Sequence, residues 1–152
     1  GAVTLTGNTT VSNAADVDTT STDAITFSGT ITGGTNSLSL QTESNTDGAT
    51  VTLVGDATGL TTLDIDAGAV VVDDVSTTVQ LDINAATIDL NGAAYVSVDI
   101  DLTGAVDLTG TGTITLDSDQ DNDGVTALDE FLAGTIPLGA VLDIDGNGTL
   151  TV

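Results

Sequence analysis

The chain has 152 residues, 23 of them Asp or Glu, with no Lys, Arg or His, for a formal charge of -23 at pH 7. Having no Cys either, it is excluded from disulfide scaffolds, thiolate metal sites, histidine-assisted nucleophilic catalysis and phosphoryl transfer through basic clamps. It is 39% hydrophobic with a mean hydropathy of +0.30, enough to build a core, while no stretch approaches the ~18 apolar residues that signal a membrane span.

The first elements are short alternating segments. Ala2-Val3-Thr4-Leu5-Thr6, Ala24-Ile25-Thr26-Phe27-Ser28 and Thr50-Val51-Thr52-Leu53-Val54 come in turn. Then follow Leu63-Asp64-Ile65-Asp66, Leu81-Asp82-Ile83, Thr87-Ile88-Asp89-Leu90 and Val96-Ser97-Val98-Asp99-Ile100-Asp101-Leu102. Each puts Val, Ile or Leu on one side and Thr, Ser or Asp on the other, the period-two pattern of a half-buried strand. The β-branched residues favour extended backbone. Gly7-Asn8, Gly29, Gly33-Gly34, Gly55-Asp56, Asn91-Gly92 and Gly104 punctuate the run. The only Pro is Pro137, so nothing upstream of it interrupts a hydrogen-bonded ladder. Aromatics are limited to Phe27, Phe131 and Tyr95, so the core consists of small aliphatic side groups.

The segments also echo one another. Ala24-Ile25-Thr26-Phe27-Ser28-Gly29 repeats the form of Ala2-Val3-Thr4-Leu5-Thr6-Gly7, and Ala105-Val106-Asp107-Leu108-Thr109-Gly110 repeats it again. Strand signals every ~10–13 residues, with ~20–25 residues to a rung, predict an all-β fold, a parallel β-solenoid over residues 1–116. A β-sandwich with strand exchange is the alternative. Phrases such as Ala2-Val3-Thr4-Leu5-Thr6-Gly7-Asn8-Thr9-Thr10-Val11 and Leu60-Thr61-Thr62-Leu63-Asp64-Ile65 resemble the strand repeats of large bacterial surface proteins, the filamentous-haemagglutinin-like adhesins. The resemblance implies a right-handed β-helix at the cell surface or outside the cell.

Residues 117–152 form a separate calcium-binding C-terminal segment. Asp119, Asp121 and Asp123 stand at the first, third and fifth places of a twelve-residue loop, with Gly124 sixth and Glu130 twelfth. This is the calcium spacing of EF-hand loops, in which Val125 offers its backbone carbonyl and Glu130 closes the shell with two oxygens. Calcium takes six to eight hard oxygen ligands, and the Gly permits the sharp turn that aims alternate side groups at one centre. Ala127 stands where a side-chain or water-bridging ligand is usual, which leaves that vertex to water. The segment resembles the calcium loops of thrombospondin type 3-like and dockerin-like repeats. After it, Leu128-Asp129-Glu130-Phe131-Leu132-Ala133 is predicted as a short helix ended by Gly134.

A second loop opens at Asp143, Asp145 and Asn147, with Thr149 at the backbone-carbonyl place, and its closing acid would fall beyond Val152. Three readings stay open: a longer polypeptide supplies the acid, the segment is a turn and strand without metal, or a neighbouring molecule completes the shell. Upstream, Asp64, Asp66, Asp82, Asp99 and Asp101 fall on outward strand positions. Stacked coils align them into like-charge ladders, to be screened by salt or bound cations.

The expected function is extracellular and structural: a calcium-stabilised, self-assembling filament or surface-fibre subunit whose partners are calcium and copies of itself end to end. A rigid stalk in a giant adhesin, meeting a cell-surface glycan or protein, is one alternative. A dockerin-like adaptor is another. No enzymatic role is expected, because the one class that composition leaves open, two-carboxylate glycoside hydrolysis, finds few aromatic and no basic groups to hold a sugar. Nucleic acid is not expected as a partner, since its phosphates meet no cation here, and membrane insertion is not expected either.

Overall fold

A computed structural model describes residues 1–20, 22–42, 49–110 and 113–117, and the backbone of 141–145. Its strands wind as a solenoid. β1 (Val3–Leu5), β2 (Thr9–Thr10) and β3 (Ala15–Asp18) make the first coil, and β4 (Ile25–Phe27), β5 (Ile31–Thr32) and β6 (Leu38–Gln41) the second. Beyond β7 (Thr50–Leu53) the strands run on around the corners as β8 (Ala57–Val72) and β9 (Val75–Leu90). β10 (Ala94–Val96), β11 (Asp99–Leu108), β12 (Thr113–Asp117) and β13 (Val141–Asp145) complete the order.

Every strand pairing among the described residues is parallel. The antiparallel sheets of a β-sandwich are therefore not what this protein forms. β8 alone meets three earlier strands: Ala57–Thr58 pair with β5, Leu63–Asp66 with β6 and Ala69–Val72 with β7. One continuous segment thus serves three faces of the coil. On the first face Val3, Ile25, Val51, Val70, Ile88 and Val106 lie in one column, which counts about six coils. The second face runs through β2, β5 and the starts of β8 and β9 to β10, and the third through β3, β6, the middles of β8 and β9, and β11.

The inward columns make the core. Phe27, Leu53, Val72, Leu90 and Leu108 stack on the first face, and Leu40, Ile65, Ile83 and Leu102 on the third, all buried. Small aliphatic groups suit the narrow interior, and Tyr95 is the one large polar-tipped residue inside. Its hydroxyl accepts the Gly92 N–H at 2.8 Å and donates to the Val72 carbonyl at 3.0 Å. A buried phenol needs such partners.

One expected strand divides. The alternation of Val96–Leu102 predicts a single run with Val96 and Val98 inward, yet β10 ends at Val96 and β11 begins at Asp99. Tyr95 and Ser97 take the inward positions and Val98 is 51% exposed. The tyrosine sets the phase of β10, and the corner at Ser97 and Val98 resets it for Ile100. Inside that corner Thr77 Oγ1 donates to Ser97 Oγ at 2.7 Å. A second corner tapers: Ala67 pairs with Ala85, and Gly104, at a bulge with φ of +145°, comes next. A Cβ there would run into the Ala85 carbonyl.

The predicted boundary at 116/117 falls within β12, and the helix expected over Leu128–Ala133 lies outside the described residues.

Candidate functional site

The third face concentrates charge. Its strands pair in register, so the outward residues of neighbouring coils align. Asp16, Ser39, Asp64, Asp82 and Asp101 form one column. Asp18, Gln41, Asp66, Asn84 and Thr103 form the next, and Thr62, Gln80 and Asp99 a third. Parallel strands lie about 4.8 Å apart. At that distance two carboxylates repel by roughly 1 kcal/mol in bulk water and severalfold more at the protein surface. The sequence-predicted acids Asp64, Asp66, Asp82, Asp99 and Asp101 are therefore brought together as expected, in rows rather than around one point.

Asp82 sits in the middle, with Asp64 paired on one side and Asp101 on the other. Partial burial, then the charges of Asp101, Asp64, Asp66 and Asp99, push its carboxyl up to about 6. Asp64 is also raised, by burial first and then by Asp66, while the Ser39 hydroxyl offsets part of this by donating to Asp64 Oδ2 at 3.4 Å. Gln41 Nε2 in turn donates to Ser39 Oγ at 3.3 Å. These neutral residues in the second coil separate Asp16 and Asp18 from the acids above. A groove of about 370 Å³ opens beside them, between Asp16, Ser37, Ser39, Thr62 and Asp64.

The other faces differ in character. Thr4, Thr26 and Thr52 align on the first, and Thr10, Thr32, Thr58 and Ser76 on the second. Asp89 and Asp107 enter the first face only in its later coils, beside a groove of about 270 Å³ that includes Ala69, Val71, Thr87 and Ala105.

Asp119, Asp121, Asp123, Val125 and Glu130 lie outside the described residues, as do Asn147 and Thr149. The backbone at Asp143 and Asp145 is extended in β13, where they pair with Thr115 and Asp117 of β12. Among the described residues no group of three or more Asp or Glu is gathered so as to hold a metal ion.

Two residues matter more than the sequence suggests. Asp74, between β8 and β9, accepts the N–H groups of Ala93 and Ala94 at its Oδ1, at 2.5 and 3.0 Å, and so fixes the corner of the next coil. Asp23 lies 3.0 Å from the amino group of Gly1. Its titration is lowered first by the Thr20 hydroxyl, which donates to Asp23 Oδ2 at 2.7 Å.

No family model, curated protein or solved structure matches the chain.

Proposed function

We propose that the protein is an extracellular structural element: a rod-forming subunit of a calcium-stabilised surface fibre. The observation that carries this reading is the stack itself. About six coils share one register, with apolar columns inside and Thr, Ser or Asp columns outside. Such quasi-one-dimensional architectures gain stiffness from nearest-neighbour stacking and grow by repetition. The absence of every basic residue supports a setting rich in cations, where -23 charges are screened from outside. Calcium held by Asp119, Asp121, Asp123, the Val125 carbonyl and Glu130 orders the C-terminal segment in this reading. Asp143, Asp145, Asn147 and Thr149 repeat the opening spacing of that ligand set.

Electron microscopy of the purified protein in millimolar calcium, and again after chelation, tests the reading. Ordered fibres in calcium that come apart with chelator support it. Isolated rods in both conditions assign the protein to the stalk of a larger adhesin instead. Compact particles with no long axis reject both.

A further inference from the structure

The corner between β9 and β10 contains an Asn-Gly pair, Asn91–Gly92. Asn-Gly is chemically fragile because glycine has no Cβ to hinder attack by its own nitrogen. The Gly92 nitrogen bonds to Cγ of Asn91, the Cγ–Nδ2 bond breaks, and ammonia leaves carrying the proton from Gly92. Water then opens the cyclic imide at either carbonyl, giving Asp or isoaspartate. Isoaspartate adds a methylene to the backbone, which would shift every later residue of that coil against its neighbours.

Asn91 is exposed to solvent, so nothing shields the electrophile. The nucleophile is held elsewhere. Gly92 is buried, and its N–H is donated to Tyr95 Oη at 2.8 Å, away from the Asn91 amide. Tyr95 is itself fixed by donating to the Val72 carbonyl at 3.0 Å, the same oxygen that accepts the Asn91 N–H at 2.9 Å. Asp74 holds the next two N–H groups of the corner. Together these bonds tie the corner to the coil beneath.

We propose that the buried hydroxyl of Tyr95 guards the Asn91–Gly92 bond against deamidation. Cyclisation then proceeds only from the locally opened corner, whose population is set by the bonds that close it. Removing the hydroxyl deletes one acceptor and one donor and raises that population by about fivefold or more.

The test follows deamidation of the full-length protein by peptide mass in mildly alkaline buffer, for the parent and for Tyr95→Phe, which keeps the ring. Circular dichroism first establishes that both are folded. The proposal expects at least about a fivefold faster reaction at Asn91 in the variant, equal rates for the two in urea, and no reaction at this position in a Tyr95→Phe, Asn91→Gln double variant. A folded Tyr95→Phe that reacts no faster than the parent overturns it. So does a folded parent that reacts as fast as it does in urea.

Discussion

Asp82 has a carboxylate neighbour in the coil on either side, and its titration records the strain. Its ordinary value of 3.8 is raised to about 6 in the fold, so the native state binds this proton more tightly than the unfolded state does. The sign follows: the stability is fully present below the unfolded value, falls as pH climbs from about 4 towards 6, and is lost above that. Asp82→Asn should therefore raise the melting temperature at pH 7, leave it nearly unchanged at pH 4, and flatten the profile between. Thermal scans across that range check this, and an unchanged slope would falsify the ladder as the source. Asp74 works in the opposite direction. Its Oδ1 receives two backbone donors, so Asp74→Ala removes a charged acceptor from both N–H groups and should cost about 1–3 kcal/mol in urea unfolding. Gly92→Ala drives a methyl into that same carboxylate and is expected to destabilise by a similar amount, about 1–3 kcal/mol.

Elements follow the alternation of the sequence where inward and outward residues differ in polarity. Leu63-Asp64-Ile65-Asp66 and Leu81-Asp82-Ile83 could be recognised as strands from residues alone, and the structure pairs them Leu63 with Leu81, Asp64 with Asp82 and Ile65 with Ile83. Alternation fails at Val96-Ser97-Val98, because the inward side of a corner accepts a hydroxyl when another hydroxyl, that of Thr77, comes to meet it. No local pattern announces a partner twenty residues away in sequence. Corner positions were visible as Gly and Asn, but the running of β8 and β9 through several corners was not. Continuity there depends on how each coil sits on the last, not on any one segment. The charge ladder was legible in outline, since Asp recurs at outward places, and its register became definite only with the stack. The calcium spacing of Asp119–Glu130 rests on the sequence alone. Within β8, Leu63 is fully buried between Leu38 and Leu81. Leu63→Ala should cost about 2–5 kcal/mol, measured by denaturant titration, and a loss under about 1 kcal/mol would contradict a close-packed middle coil.

For the molecule as a whole the dominant quantity is a charge of -23 with no basic residue. Unfolding moves the acids of the third face apart, so self-repulsion favours the open state and screening favours the coil. The melting temperature should climb as sodium chloride is raised from about 10 mM to 150 mM, a range over which the Debye length falls from about 30 Å to 8 Å. Calcium at matched ionic strength should raise it further and protect the Asp119–Glu130 segment from an acid-tolerant endoprotease. Equal protection after chelation would remove the metal from that segment. The parallel pairing of successive coils has a mechanical consequence. Backbone hydrogen bonds between coils lie along the long axis, so a load applied from the first coil to the last acts on them end-on, like a zipper, and not in shear. Rupture then proceeds coil by coil at modest force, each event freeing a loop of about 20 residues, roughly 65 Å of slack. A tether made this way yields in small, even steps and dissipates work where a single-domain link would snap.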